Sequence, residues 1–249
     1  MKTLVVLLFI FPALVWAKSQ TRISKIYEVG KMNQESLFVQ TTEIQLQDSE
    51  SFVSKAKIED TKGQVVMTET VVVRNGALVS QSVEQLQSKE AWDLKVQGNK
   101  ASFDTYKIAD GGGKLKVGSG KTQEVDTFIN GPLIEHFISR NWEKLMAAEI
   151  VHTAFSVLEL ERTIDFQFEK IKESERENKK VLVLKMKPRN FFISVLVDPM
   201  ILEFDISTKQ LVYFKGRTPL KVVKSGVLKP FDAEISYETR DNQTDSNHI

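Results

Sequence analysis

Residues 118–122 are the first place where the sequence suggests a specific chemistry. Their sequence, GSGKT, resembles the end of a phosphate-binding loop, in which backbone amides and a helix N-terminus hold phosphate. That motif requires a glycine five residues before Gly120, where Leu115 stands. It also requires a helix after the loop, whereas residues 124–129 alternate in polarity as a strand does. We therefore interpret the match as accidental and expect no nucleotide site.

Catalytic and metal-binding patterns are also missing from the sequence. His136, His152 and His248 have no short metal-ligand spacing between them, and the chain contains no cysteine. There is no Gly-x-Ser-x-Gly motif, and the many carboxylates are typical of solvated strand faces. The sequence thus predicts no catalytic residue, no metal and no cofactor, and a protein that is not an enzyme. An active site assembled from residues far apart in sequence remains an open alternative.

Large apolar side chains outside the regular strand pattern form the candidate ligand-binding set. Those on a predicted helix and on an apolar insertion exceed what short connections need, and strand residues with an inward direction extend the set. The set comprises Phe137, Ile138 and Trp142 on the helix, Phe191, Phe192, Val195 and Leu196 on the insertion, and Trp92, Phe155, Phe166 and Phe204 on strands. Two interpretations stay open: these residues line an apolar pocket for a lipid-like ligand, or they are plain core.

The elements that must position these residues are mostly strands. Phe52, Ser54, Ala56 and Ile58 alternate with charged or polar neighbours, and such alternation recurs along the chain. Asn75-Gly76 and similar turn sequences separate the runs, which favours ten to twelve strands in up-and-down order. Residues 131–147 have helical spacing after Gly131-Pro132, whereas 191–197 could be a short helix or an apolar loop. We expect the Gly-rich stretch 110–121 to be a mobile loop.

The predicted fold is mainly β: a large curved antiparallel sheet, an open or half barrel, with one covering α-helix and a short apolar insertion. An apolar sheet face of this size must be closed or covered, which gives the helix and the insertion their expected place. We predict one domain over residues 18–238 and a flexible polar tail at 239–249.

The first 17 residues have the pattern of a cleavable signal peptide. A short basic start precedes an apolar run over residues 4–14, and small residues then lead to cleavage near Ala17. The chain has 34 basic and 33 acidic residues, and Lys2 lies in the removed segment, so the mature chain is formally neutral. This balance indicates no nucleic-acid partner, and no later segment predicts a transmembrane anchor. Together with the absence of cysteine, the signal peptide favours a periplasmic or secreted location.

Two stretches carry a resemblance to a known group of proteins. Residues 197–205 (VDPMILEFD) and 209–217 (KQLVYFKGR), with 141–145 (NWEKL), resemble segments of uncharacterised bacterial periplasmic half-barrel proteins. These are loosely similar to the lipoprotein-carrier family of LolA and LolB. The resemblance implies an open barrel that shelters acyl chains and carries over no functional residue. The missing lipidation cysteine departs from the anchored LolB pattern, whereas a soluble LolA-like carrier is compatible.

These observations lead to a ranked set of hypotheses. The first is an exported periplasmic protein that binds a lipid or another apolar ligand in the hollow of the curved sheet. The alternative is an envelope protein that interacts with or assembles other proteins and has no ligand. An enzyme with a dispersed active site comes last.

Overall fold

The computed structural model describes residues 18–121, 128–190 and 198–240. The first half of the chain forms β1 (Lys18–Glu28), β2 (Phe38–Leu46), β3 (Phe52–Asp60), β4 (Val65–Arg74), β5 (Ala77–Gln85), β6 (Glu90–Gln97), β7 (Lys100–Ile108) and β8 (Lys114–Lys121). The second half forms β9 (Phe128–Ile129), α1 (Ile134–Arg140), α2 (Trp142–Met146), β10 (Val151–Val157), β11 (Arg162–Arg176), β12 (Lys179–Pro188), β13 (Met200–Asp205), β14 (Leu211–Lys224) and β15 (Val227–Arg240).

All fifteen strands belong to one sheet, whose order is β8-β7-β6-β5-β4-β3-β2-β1-β15-β14-β13-β12-β11-β10-β9. Each half is an up-and-down meander, and antiparallel pairing of β1 with β15 joins the two halves in the middle. Every pairing is antiparallel except that of β9 with β10. The edge strands β8 and β9 do not pair with each other, so the sheet is not closed. This confirms the predicted large, curved and open antiparallel sheet.

The sheet curls until residues near its two edges touch. The Thr105 hydroxyl of β7 donates a hydrogen bond to Glu161 Oε1, beyond the end of β10, at 2.5 Å. The side chain of Gln85, at the end of β5, donates to the backbone oxygen of Pro219 in β14 at 3.2 Å. The concave face is therefore enclosed by both halves of the sheet.

Local alternation explains the strands. In β3, Ser54, Ala56 and Ile58 are buried while Lys55 and Lys57 are exposed, as predicted. The β4–β5 hairpin turns at Asn75 and Gly76, whose φ values of 50° and 69° are those that an Asn-Gly turn tolerates. The turn between β11 and β12 occupies only Glu177 and Asn178, both with positive φ. Lys179 and Lys180 are exposed beside this turn, whereas Arg176 is partly buried and pairs with Glu203.

Two local predictions are wrong. Residues 114–121 form β8 rather than a loop: Lys114 lies opposite Ile108 of β7, and the pairing continues through Gly118 and Gly120 to Lys121 opposite Ser102. Only the turn before Lys114 matches the predicted loop. This strand and the two-residue β9 help explain why fifteen strands exceed the predicted ten to twelve. The single helix predicted over 131–147 is instead a 3-10 turn at Gly131–Leu133, then α1, then α2. Asn141 interrupts it, and its side-chain amide donates to the backbone oxygen of Phe137 at 2.9 Å.

Some predictions lie outside the described residues. These are the signal peptide at 1–17, the insertion residues Phe191, Phe192, Val195 and Leu196, and the tail from 241 onward. Thr239 and Arg240 belong to β15. Over the ranges that the structure describes, no helix has both the length and the apolar character needed to cross a membrane.

Candidate functional site

The helices lie against the concave face of the sheet and form one of its two apolar clusters. Phe137 and Phe168 illustrate the packing, with ring centroids 5.5 Å apart. We call this group the helix cluster; it includes Val71, Leu94, Phe103, Phe137, Ile138, Trp142, Leu145, Phe166, Phe168, Leu184 and Phe204. Ile138 and Leu145 are fully buried. The helices therefore cover part of the concave face, as the sequence predicts for a single helix.

The second apolar cluster is closed by the far end of β14. Leu220 of that strand is almost fully buried, and Phe231 of β15 contacts Phe38 with ring centroids 6.0 Å apart. We call this group the hairpin cluster; it includes Ile26, Phe38, Ile58, Met67, Val83, Trp92, Leu220 and Phe231. The β14–β15 hairpin thus covers the apolar concave face at this end of the sheet, as the helices cover it at the other end.

The predicted ligand-binding residues divide between these clusters. Phe137, Ile138, Trp142, Phe166 and Phe204 are buried in the helix cluster. Phe155 is partly buried against the same cluster, and its ring centroid is 5.7 Å from that of Phe166. Trp92 lies in the hairpin cluster instead. Six of the seven described candidates are thus brought together and one is not, and their packing makes them walls or core rather than open surface.

Between the two clusters, polar side chains occupy the concave face. We call them the polar belt: Arg22 and Ser24 of β1, Gln40 and Thr42 of β2, Glu69 of β4, Gln81 of β5 and Tyr237 of β15. The strand register places them side by side. Ser24 lies opposite Gln40 on one side and Tyr237 on the other, and Arg22 lies opposite Thr42. Ala56 of β3 lies between Thr42 and Glu69.

Burial shapes the ionisation of the belt. The Gln81 amide donates to Glu69 Oε1 at 2.7 Å, but burial is the stronger influence and raises the pKa of Glu69. Burial also raises the pKa of Tyr237 to about 12; the Arg22 guanidinium opposes this shift and Glu135 adds to it. Gln40 completes the set by donating to the Thr42 hydroxyl at 2.9 Å. The belt therefore favours neutral forms of its acid and its phenol.

Arg22 connects the belt to α1. Its Nη1 lies 2.9 Å from Glu135 Oε1, and its guanidinium lies over the Tyr237 ring at 4.4 Å from the centroid. Its Nη2 also donates to the backbone oxygen of Leu211, whose N–H in turn donates to Glu135 Oε1 at 2.5 Å. The charge of Arg22 is thus neutralised by the helix that covers the neighbouring apolar cluster.

Several side chains of the belt are only partly buried. Gln40, Glu69 and Tyr237 remain partly exposed, although their register neighbours Ile58 and Ser24 are buried. Phe214, which contacts both apolar clusters, is also partly exposed. These side chains lie on the concave face, and the two clusters do not enclose them completely.

Some buried atoms of the belt lack a protein partner. Arg22 Nε, Ser24 Oγ and Gln81 Oε1 are shielded from solvent and make no hydrogen bond to the described part of the chain. Such groups cost stability when left unpaired, and in native structures each calls for an explanation. In the belt, these unpaired donors and this unpaired acceptor are a local cost in stability.

Two surface cavities lie at the end of the sheet opposite the helices. One, of about 430 Å³, is lined by Arg162, Thr163, Ile164, Asp165, Arg189 and Asn190. The other, of about 370 Å³, lies beside the hairpin cluster, with Phe38 and Phe231 in its wall and Glu28, Asp60 and Lys221 at its margin. None of the described candidate residues from the sequence lines either cavity.

The histidines do not form a site. Nε2 of His136 is buried without a partner; burial and then Arg140 lower the pKa of this imidazole, while Glu50 opposes the shift. His152 is exposed on β10, and His248 lies outside the described residues. In the described ranges, no three His, Asp or Glu side chains come close enough to hold a metal ion. The GSGK part of residues 118–122 lies on β8, which is a strand rather than a phosphate-binding loop.

Comparison with known proteins returned structural similarity alone. No protein-family model matches the chain, and no curated protein matches it. A solved structure from Brucella abortus, a β-barrel-like protein of the domain of unknown function DUF1849, is 8% identical, with a TM-score of 0.37 over 90% of this chain and 97% of that one. A DUF1329 family protein from Desulfovibrio piger is 7% identical, with a TM-score of 0.27 over 92% and 87%. Neither of these proteins is described as a lipoprotein carrier.

Proposed function

We propose that the protein is an exported envelope protein of the periplasm that binds an amphipathic lipid in the hollow of its sheet, and that it is a binding protein rather than an enzyme. The observation that carries the proposal is the partial exposure of Gln40, Glu69 and Tyr237 on the concave face between two apolar clusters. A ligand there meets polar groups in the belt and apolar side chains on both sides.

The chemistry of the walls specifies the kind of lipid. An acyl chain gains about 0.8 kcal/mol for each CH₂ group transferred from water to an apolar wall. The belt supplies hydrogen-bonding groups, Glu135 neutralises Arg22, and burial raises the pKa of Glu69, which disfavours its charged form. A headgroup with hydroxyl or amide groups therefore suits the belt better than a doubly charged phosphate.

The direct test is retention of lipid by the purified protein. We expect native mass spectrometry of detergent-free protein to show an added mass that extracts into organic solvent and is identified as a lipid. Bare protein that also fails to take up a fluorescent acyl probe would count against the proposal.

A space-filling substitution connects this result to the belt. Gln40→Trp adds an indole on the concave face, where it occupies the hollow, and we expect it to abolish uptake of the acyl probe. Thr41→Trp is the matched control, because Thr41 is also partly buried but points to the opposite face of the same strand. Equal uptake by the two variants, both folded by circular dichroism, would place the ligand elsewhere.

An interaction role without ligand is favoured by one separate observation. The edge strand β8 exposes Leu115 and Val117, at 68% and 53%, and an unpaired strand edge readily accepts a strand from another protein. Crosslinking in cells is expected to trap a partner through β8 under this alternative. Recovery of monomer alone would oppose it.

A further inference from the structure

The β14–β15 hairpin projects beyond the strands beside it. β14 pairs with β13 only as far as Lys215, and β15 pairs with β1 only from Ala233 onward. Within the described ranges, residues 218–231 are paired in the sheet only with each other. The end of the hairpin, its tip, therefore pairs with no other described strand, although Val222, Val223 and Lys224 line the smaller cavity together with residues such as Glu28 and Asp60.

The base of this hairpin is held firmly. Leu220 is buried in the hairpin cluster, and Lys221 Nζ lies 3.1 Å from Glu90 Oε2. The Lys221 N–H also donates to the side chain of Gln87 at 3.3 Å. A tip that projects from such a base is presented in a fixed direction.

The tip combines exposed apolar side chains with positive charge. Val223 and Val227 are 68% and 54% exposed on either side of the turn at Ser225 and Gly226. Lys221, Lys224 and Lys229 surround them, and residues 218–231 contain no Asp or Glu. Lys221 is paired with Glu90 at the base, and Lys224 Nζ lies 3.7 Å from Oε1 of Glu28, which also pairs with Lys31.

We infer that this tip docks on the surface of a membrane that contains anionic lipids. Its valines enter the boundary between headgroups and acyl chains, and its lysines attract the negative headgroups. A bilayer accepts a small convex tip without a matching groove, whereas a protein partner must supply one. The lysines favour anionic over zwitterionic lipid. This inference goes beyond the proposed ligand in the hollow and does not depend on it.

The test is flotation of the chain from Lys18 onward, which contains every element of the described fold, with vesicles of phosphatidylglycerol and phosphatidylcholine or of phosphatidylcholine alone. We expect binding only to the anionic vesicles, with a loss at 1 M salt, where charges are screened within about 3 Å. Val223→Asp with Val227→Asp should weaken binding by at least about tenfold, since burying one valine is worth roughly that factor. Lys224→Gln with Lys229→Gln should weaken it by about fivefold for each lysine.

Leu115→Asp with Val117→Asp is the matched control, because these two β8 residues are 68% and 53% exposed and also have lysine neighbours. We expect this variant to bind as the unaltered protein does. Absence of binding, equal binding to both kinds of vesicle, or loss in the β8 variant instead of the hairpin variant would each overturn the inference.

A labelling experiment gives a second readout that does not depend on affinity. The chain has no cysteine, so Val227→Cys introduces a single thiol for an environment-sensitive dye, and Val117→Cys does the same on β8. We expect the emission of the label at position 227 to shift to the blue with anionic vesicles, and the label at 117 to stay unchanged. A shift at 117 alone would contradict docking through the hairpin.

Discussion

Removal of the Glu135 carboxylate tests how firmly α1 is held to the sheet. Glu135 Oε1 lies 2.9 Å from Arg22 Nη1 and accepts the Leu211 N–H at 2.5 Å. The Arg22 side chain is only 14% exposed, so Glu135→Ala leaves a mostly buried charge without its partner. Breaking a fully buried pair costs about 3–5 kcal/mol. Glu135 itself is 32% exposed, and water can partly replace it, so we expect a loss of about 2 kcal/mol in the free energy of unfolding.

A double-mutant cycle with Arg22→Met isolates the contribution of the pair. Urea unfolding can be followed by tryptophan fluorescence, because Trp142 is buried in the helix cluster and Trp92 in the hairpin cluster. We expect the double variant to be less destabilised than the sum of the two single variants by about 1 kcal/mol or more.

The control for this cycle uses an exposed ion pair on the same helix. Arg140 Nη2 lies 2.6 Å from Glu50 Oε1, but the two side chains are 54% and 45% exposed, so Arg140→Met should cost less than about 0.5 kcal/mol. Additive effects at Arg22 and Glu135, or a loss at Glu135 no larger than that at Arg140, would refute the reasoning.

Three further predictions concern the core, a turn and the belt. Leu145→Ala removes a fully buried side chain and should cost about 2–5 kcal/mol in urea unfolding, whereas Ile171→Ala, on an exposed position of β11, should stay within about 0.5 kcal/mol. Gly76→Ala should lower the melting temperature more than Gly63→Ala does, because both glycines have positive φ but only at Gly76 would the new Cβ lie 2.9 Å from His136 Nε2. Because burial raises the pKa of Glu69, the native state binds more protons than the unfolded chain at pH values above the ordinary carboxyl pKa. The stabilisation that comes from this proton binding is lost as the pH rises through the pKa of the folded state. Glu69→Gln removes this loss, so its melting temperature should gain on that of the unaltered protein as the pH rises above the ordinary carboxyl pKa. A constant difference would show that Glu69 does not titrate in this way.

Much of the fold could be predicted because its signals are local. The alternation in β3 and the Asn75-Gly76 turn depend on residues close in sequence, and both are confirmed. β8 escaped prediction because glycines usually interrupt strands. In this fold Gly118 and Gly120 instead allow Glu161 to approach β8 closely, since a Cβ at either position would collide with Glu161. That contact joins β8, at one edge of the sheet, to the connection after β10, near the other edge, and no local pattern in the sequence encodes it.

The polar belt escaped prediction for a different reason. Gln40 and Thr42 point inward, but their neighbours Thr41 and Glu43 are polar too, so the middle of β2 does not show in its sequence which face is the concave one. The local signals lie at the two ends of the strand, where Phe38, Ile44 and Leu46 have the same parity as Gln40 and Thr42. To place Ser24 and Glu69 on this same face, the register between strands far apart in the chain must also be known.

The location of the polar belt suggests why the fold retains polar groups that lower its stability. The helices fill one part of the concave face and Leu220 helps to fill another, so an apolar belt between them would produce one continuous core. Glu69 and the unpaired atoms of Ser24 and Gln81 make that region less stable than such a core. Proteins commonly give up stability where a binding site needs polar groups. If the belt had no role in binding, Glu69→Leu would stabilise the fold without changing ligand uptake. Under the proposed function, the same substitution stabilises the fold and weakens ligand uptake. Measurements of stability and of uptake on this single variant therefore decide between the two accounts.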